Sequence, residues 1–198
     1  MKILIIDNYD SFTYNLYQLV GELLEADKSA VLDVKRNNQI SLQQIKAGNY
    51  DRIIISPGPG NPANKKYFGV CADVLLNLGK KIPVLGVCLG MQGLGHYYGA
   101  KVVKARLPMH GKSSKITHDG KGLFKNVPQG IEVMRYHSLV VEKKALPPSL
   151  VITAKTADGL EIMGLRHKKF PIFGIQFHPE SYATEYGKKI VENFLFNL

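Results

Sequence analysis

The sequence is poor in cysteine and has no long apolar run. Its 198 residues include two cysteines, Cys71 and Cys88, which are too few and too differently placed to predict a disulfide framework or a metal knuckle. No run of about 18 or more apolar residues occurs, so no transmembrane helix is predicted. The short apolar start ends at Asp7 and is not typical of a signal peptide. We therefore expect a reduced, cytoplasmic protein that does not enter a membrane.

Acidic residues are the scarcer charge. The sequence has 26 Lys and Arg against 16 Asp and Glu, for a net charge of +10. The basic residues are spread in ones and twos, as in Lys65-Lys66 and Lys80-Lys81, without the interleaved aromatic residues of a nucleic-acid stacking surface. We interpret the excess as a solvated basic surface and predict no nucleic-acid partner.

No internal repeat, low-complexity tract or linker-like stretch divides the chain. The hydrophobic fraction is 45%, enough at this length to bury a core. We therefore predict one domain over residues 1–198.

Short β-rich runs alternate with helical patterns through the first half of the chain. Ile3 to Ile6 is the first apolar run, and the run from Pro83 to Val87 has the character of a fully buried strand. This alternation predicts an α/β fold with an open, mainly parallel sheet and helices on both faces. The short strand-like runs from Val102 to Phe177 predict an antiparallel extension in the second half. A helix around Ile190 closes the chain.

Cys88 lies where the buried strand before it turns sharply into a predicted helix. Glycines flank it in Gly86-Val87-Cys88-Leu89-Gly90 and keep Cβ atoms out of a tight turn, as a nucleophile elbow requires. The helix N-terminus favours a thiolate and offers N–H groups to an oxyanion. The alternative is a buried structural cysteine, common for this residue type. We interpret Cys71, inside a helical pattern, as core filling.

A second apolar strand, Phe173 to Phe177, leads directly into His178-Pro179-Glu180. Because residues two apart in an extended chain point the same way, Glu180 can bind one imidazole nitrogen of His178 and orient the other toward the thiol. The alternative is a Pro turn with two solvated polar side chains.

The loop Ser56-Pro57-Gly58-Pro59-Gly60 also follows a strand, so all three motifs can reach the sheet edge where α/β folds gather ligands. As a lone loop it could equally be a common Gly-Pro turn.

These motifs resemble those of the class I, or triad-type, glutamine amidotransferases, in the order that family uses and over nearly the whole chain. The resemblance implies that Cys88 forms a γ-glutamyl thioester, that His178 shuttles the proton and that Glu180 orients His178. It implies an oxyanion site at the backbone N–H groups of Leu89 and Gly60. The implied glutamine-binding residues are Gly58, Pro59, Gly60, Gln92, Ser138 and Leu139. No cofactor is implied, and no histidine pair has metal-ligand spacing.

A narrower resemblance concerns the segment Asp7 to Leu16, which is similar to the opening of anthranilate synthase component II and of the aminodeoxychorismate synthase glutaminase. His110 to Ser114 and His118 to Gly120 also resemble that subgroup, in a segment expected on the surface toward a synthase. Met91 departs from it, because many members carry His there, whereas other triad amidotransferases carry Met.

The resemblance implies a glutaminase subunit that hydrolyses glutamine and delivers ammonia to a chorismate-using synthase on another chain, anthranilate synthase component I, for tryptophan biosynthesis. No phosphate-binding loop is visible in the sequence, and the amidotransferase motifs leave no room for an acceptor domain. Three alternatives remain open at this point: an aminodeoxychorismate synthase glutaminase of the folate pathway, a cysteine hydrolase on a similar sheet, and a non-catalytic regulatory subunit.

Overall fold

A nine-stranded sheet runs through the computed structural model, which describes residues 1–198 apart from the side chain of Ala145. The strands are β1 Lys2–Asp7, β2 Val31–Arg36, β3 Arg52–Ile55, β4 Val84–Val87, β5 Val102–His118, β6 Glu132–Val141, β7 Leu150–Thr156, β8 Ile162–His167 and β9 Ile172–Ile175. The helices are α1 Thr13–Leu24, α2 Leu42–Ala47, α3 Lys65–Phe68, α4 Cys71–Leu76, α5 Leu89–Tyr97 and α6 Gly187–Phe196.

The strand order is β2-β1-β3-β4-β9-β8-β7-β5-β6. The first five strands in this order pair in parallel, and the remaining pairs are antiparallel. The predicted α/β class, with a mainly parallel sheet and an antiparallel extension, is therefore confirmed.

Alternate residues of β1 enter two separate cores, as the period of two in a strand requires. Ile3 and Ile5 pack with residues of α1 and α6 on one face. Leu4 and Ile6 pack with residues of α2, α4 and α5 on the other. A strand buried on both faces is expected to be continuously apolar, which explains the unbroken run at the start of the chain. The helices thus cover both faces, as predicted.

Two elements differ from the sequence expectations. The helical spacing of Val70, Val74, Leu75 and Leu78 predicts one helix through these residues, but the helix ends at Leu76 and a separate 3₁₀ turn covers Leu78–Lys80. Strand β5 is one element of 17 residues instead of several short runs. It pairs with β6 along most of its length and with β7 only at its end, and two register shifts bend it. Because many of its residues are exposed and polar, hydrophobic patterning cannot reveal it.

Helix α5 approaches the sheet where glycines remove the side chains from both elements. A Cβ atom on Gly86 would lie 2.4 Å from the Gly90 carbonyl carbon, and one on Gly90 would lie 2.7 Å from the Ile55 carbonyl oxygen. On β9, a Cβ atom on Gly174 would lie 2.6 Å from Met91 Cγ. The helix that follows Cys88 therefore lies close against the backbone of three neighbouring strands. In the described part of the chain, no helix has the length and apolar character needed to cross a bilayer.

We predict that Gly86→Ala lowers the free energy of unfolding by about 2 kcal/mol or more, because the new methyl group would meet main-chain atoms that cannot move aside. The matched control is Gly21→Ala within α1, where a Cβ atom meets nothing within 4 Å, and which should stabilise the chain by about 0.5 to 1 kcal/mol. Urea unfolding monitored by circular dichroism measures both changes. A Gly86→Ala chain as stable as the wild type would contradict the close packing of α5.

Candidate active site

Cys88 occupies the turn between β4 and α5 in a conformation that residues with a side chain seldom adopt. Its backbone angles are φ 52° and ψ −100°, and positive φ is uncommon outside glycine. The Cys88 N–H donates a 2.8 Å hydrogen bond to the carbonyl of Ile175 on β9. The predicted strand, sharp turn and helix are therefore present, and the turn is fixed to the neighbouring strand.

Leu89 is the first residue of α5, so its backbone N–H has no acceptor within that helix. The positive end of the helix dipole lies at the same place. Together these features favour a negative charge next to Cys88, as an oxyanion would provide.

His178 and Glu180 form a buried pair beyond the end of β9. His178 Nδ1 lies 2.7 Å from Glu180 Oε1, and the two side chains are 3% and 1% exposed. Within the described residues, His178 Nε2 and Glu180 Oε2 have no hydrogen-bond partner. The imidazole is packed edge-on against Tyr136 and Phe12, with ring centroids 5.0 and 5.7 Å away. One ring nitrogen is thus held by the carboxylate, and the other is left for a reacting group.

The pKa of His178 is raised above its ordinary value. Burial by itself would lower this pKa, but the neighbouring Cys88 and Glu180 stabilise the protonated ring and outweigh the desolvation. An imidazole between two acidic groups can accept the thiol proton and retain it as imidazolium. Cys88, His178 and Glu180 are therefore the candidates for a nucleophile, its base and an orienting carboxylate.

Gln176 also contacts Cys88, and sequence reasoning missed it. Its side chain is fully buried, and Nε2 lies 3.5 Å from Cys88 Sγ. Gln176 Oε1 accepts a hydrogen bond of 3.2 Å from Gln92 Nε2, which also donates to the Leu139 carbonyl at 2.9 Å. The available signal was an amide within the otherwise apolar run Phe173 to Phe177, because a buried amide needs hydrogen-bond partners.

A cavity of about 180 Å³ opens onto Cys88. Every residue that the resemblance proposed for binding glutamine lines it, together with three further aromatic or imidazole side chains. The lining residues are Gly58, Pro59, Gly60, Cys88, Gln92, His110, Tyr136, His137, Ser138 and Leu139. The chain therefore brings four segments that are distant in sequence to one small pocket.

His178 and Glu180 line a second, adjacent cavity of about 450 Å³. Phe12 and residues of α1 form part of its wall, and Tyr136 lines both cavities. The His178–Glu180 pair thus lies beside the smaller pocket without forming its wall.

The loop that carries Gly58 and Gly60 is pressed against neighbouring backbone. A Cβ atom on Gly58 would lie 2.8 Å from the Asn8 carbonyl oxygen, and Gly60 has a φ of +81°. Asn8 fixes the start of the loop, because its backbone N–H and its side-chain amide each donate a 2.9 Å hydrogen bond to Ser56. A side chain at Gly58 would clash with Asn8, and a side chain at Gly60 would be strained by the positive φ.

The histidine at the rim of the smaller pocket belongs to the exposed part of β5. His110 Nε2 lies 2.8 Å from Ser138 Oγ, and His110 to Ser113 are exposed. The expected surface position of this segment is thus observed next to the pocket. In the part of the chain that the structure describes, no group of three or more His, Cys, Asp or Glu side chains is arranged to hold a metal ion.

The family model described as glutamine amidotransferase class-I matches residues 4–198. This chain belongs to the class-I glutamine amidotransferases. A relative named anthranilate synthase component 2, from Leptospira biflexa, is 58% identical over 199 residues, covering 98% of this chain and 99% of the relative. A relative with the same name from Cyanophora paradoxa is 52% identical over 194 residues, covering 98% and 97%.

A solved structure from Thermoplasma acidophilum, described as part of a putative GMP synthase, has the same fold. It superposes with a TM-score of 0.79 at 28% identity and covers 98% of this chain and 92% of its own. The amidotransferase family, first indicated by three short motifs, is thus confirmed over the whole fold. An unrelated cysteine hydrolase is excluded as the identity of this chain.

We predict that an electrophilic glutamine analogue alkylates Cys88 in strong preference to Cys71. Cys88 lines the pocket, whereas Cys71 is fully buried and burial raises the pKa of its thiol. Peptide mass mapping identifies the labelled residue, and added glutamine should protect it. Equal labelling of the two cysteines, unaffected by glutamine, would contradict a glutamine pocket at Cys88.

Proposed function

We propose that this amidotransferase is the glutaminase subunit of an anthranilate synthase, with Cys88 as its nucleophile. The observation that carries the proposal is the 58% identity to a component 2 protein over essentially the full length of both chains. Such similarity covers both the pocket and the surface that surrounds it.

The proposed chemistry begins with proton transfer from Cys88 to His178 Nε2, while Glu180 holds the opposite ring nitrogen. The thiolate attacks the side-chain amide carbon of glutamine and forms a tetrahedral intermediate. The protonated His178 then donates its proton to the leaving nitrogen, so ammonia departs and a γ-glutamyl thioester remains. Water, activated by the same histidine, hydrolyses the thioester and releases glutamate.

Backbone groups are proposed to stabilise the oxyanion of each tetrahedral intermediate. The donors are the N–H groups of Leu89, at the start of α5, and Gly60, in the loop opposite. Fixed N–H dipoles in a small pocket stabilise developing charge without having to reorganise. We assign Gly58, Pro59, Gln92, Ser138 and Leu139 to substrate binding, since all five line the cavity that contains Cys88.

The proposed acceptor of ammonia is a chorismate-using synthase subunit that forms a hetero-oligomer with this chain. Ammonia released into water near neutral pH is mostly protonated and no longer nucleophilic, so a partner must receive it close to where it forms. The segment His110 to Ser114 is a candidate part of the contact, because it is largely exposed and reaches the pocket rim through Ser138. Both cysteines are unpaired, which agrees with a reducing compartment such as the cytoplasm.

The central test replaces the nucleophile. Cys88→Ser, assayed with the synthase subunit of the same organism, should reduce glutamine-dependent product formation to roughly a thousandth or less, because serine is a far weaker nucleophile at this position. Product formation from added ammonium should stay close to the wild-type level, since the synthase reaction needs no thiol from this chain. Glutamine-dependent activity in the variant would refute the assignment of Cys88.

Product identification in the same assay separates the two pathways. Anthranilate formed from chorismate and glutamine supports the proposal, whereas aminodeoxychorismate would assign the chain to the folate pathway. Absence of any glutamine hydrolysis by the intact complex would identify a non-catalytic regulatory subunit.

We also predict that Glu180→Gln lowers turnover less than His178→Ala does. The amide can still hold the ring, but it stabilises the imidazolium poorly. Steady-state rates of glutamate release from the synthase complex give the order directly. The matched control is Glu185→Gln, a change of an exposed carboxylate on the same segment that hydrogen-bonds only the Glu132 backbone N–H. If Glu180→Gln is as harmless as this control, Glu180 has no role in the triad.

A further inference from the structure

Two buried polar residues of β6 lie beneath the proposed glutamine pocket. Arg135 and His137 are each 4% exposed. Arg135 Nε donates a 3.1 Å hydrogen bond to His137 Nε2, and His137 Nδ1 lies 3.0 Å from the Leu139 carbonyl oxygen. Because an arginine can only donate, His137 Nε2 must be the acceptor and Nδ1 must carry the proton. The imidazole thus links a guanidinium to a main-chain carbonyl.

The other nitrogens of Arg135 are also engaged. One donates a 2.9 Å hydrogen bond to Ser114 Oγ, and another is paired with the carboxylate of Glu161. Ser114 and Glu161 line a separate outer groove of about 720 Å³ and not the pocket of Cys88. Arg135 is therefore anchored by residues that line this groove, and its Nε–H donates to His137.

The Leu139 carbonyl oxygen receives a second hydrogen bond, from Gln92 Nε2 at 2.9 Å. Two donors, one on β6 and one on α5, thus occupy both lone pairs of this oxygen. His137, Leu139 and Gln92 all line the pocket that contains Cys88. The orientation of the Leu139 peptide group therefore depends on the two side chains.

Strand pairing holds this part of β6 only weakly. Leu139 pairs with Lys104, but the next paired residue of β6, His137, lies opposite Met109. The register shift leaves residues 105–108 of β5 outside the ladder across from Ser138. A strand with an irregular partner needs other contacts to fix its peptide planes. The side-chain contacts of Arg135 and His137 supply them.

We infer that Arg135 and His137 are positioning residues for glutamine: they fix the Leu139 peptide group, and with it the part of the pocket at Ser138 and Leu139 that we assign to the amino-acid end of the substrate. This inference rests on the proposed function. Neither residue touches the reacting atoms. Loss of either should therefore weaken substrate binding more than the chemical step.

The electrostatics of the pair agree with this role. Burial lowers the pKa of His137, and the positive charge of Arg135 lowers it further, to about 3. His137 is therefore neutral across the physiological range, with one nitrogen always available to accept and the other to donate. The pKa of His178 is shifted in the opposite direction. The two histidines therefore differ in protonation, and only His178 is proposed to transfer a proton.

The test compares His137→Ala with His137→Asn in the complex with the synthase. His137→Ala should raise KM for glutamine about tenfold and change kcat by less than about threefold, the pattern of lost ground-state binding. The Asn side chain can place an N–H where Nδ1 was, so His137→Asn should recover much of the wild-type KM. The matched control is His167→Ala, which removes another buried histidine that binds only backbone N–H groups outside the pocket and should leave KM unchanged.

A double-mutant cycle tests whether the two residues act together. Arg135→Gln should raise KM in the same direction as His137→Ala, and the double variant should exceed the larger single effect by less than about twofold, as expected for one coupled unit. Effects that multiply would overturn the inference, as would equal losses of kcat and kcat/KM in His137→Ala. A rise in KM of the His167→Ala control equal to that of His137→Ala would overturn it as well.

Labelling of Cys88 separates a failure of this inference from a failure of the proposed function. In His137→Ala, iodoacetamide should react with Cys88 at the wild-type rate, because this small reagent does not use the amino-acid subsite. An electrophilic glutamine analogue should react about tenfold more slowly at subsaturating concentration, since its binding is weakened by the same factor. If glutamine fails to protect Cys88 in the wild-type complex, the proposed function itself is wrong. Intact protection in the wild type with no change in the variant would overturn only the positioning role.

Discussion

The site depends on a contact between α5 and the sheet that leaves no space for side chains. Gly86 on β4 faces the backbone of Gly90, and Gly90 in turn faces the Ile55 carbonyl of β3. Van der Waals contact between two stretches of main chain is short and hard to deform. It therefore fixes the first turn of α5, and with it Cys88, relative to the ends of β3, β4 and β9. The loop at Gly58 follows β3, and the segment from His178 follows β9. The positions of both segments are therefore also fixed relative to Cys88.

This arrangement explains why the segments that follow β3, β4 and β9 meet although they are far apart in the sequence. Parallel strands end at one edge of the sheet, and the proposed catalytic residues come directly after those ends. The antiparallel strands contribute from the side, where β6 places Tyr136 and Leu139 over the same cavity. The parallel half thus fixes Cys88, and the antiparallel half shapes the space in front of it.

Much of the parallel half was predictable because burial on both faces makes its strands continuously apolar and its turns rich in glycine. The elbow at Cys88 and the pair His178 and Glu180 were predictable for a related reason: each is a local motif whose geometry follows from a strand end. The length of β5 was not, since most of this strand is exposed and its apolar residues follow no regular alternation. Its length is set by its pairing with β6 and β7, which no local pattern encodes.

The polar contacts behind the pocket were also beyond local inference. Gln176 and His137 are each recognisable as polar residues in strand-like runs, but their partners lie on other elements or further along the same strand, at Cys88, Gln92 and Arg135. Which buried donors and acceptors pair is decided by the packed fold, because most such groups find a partner once water is excluded.

The backbone at Cys88 carries a further consequence. A residue with a Cβ atom is held there at φ 52°, in a region whose occupation costs about 1 to 3 kcal/mol. Favourable packing of the surrounding strands must offset this strain in the folded state. Glycine would adopt the same angles without strain, yet it would have no sulfur to react. The chain thus carries a strained residue at this turn, and the free energy of unfolding of the whole protein is lower by the cost of that strain.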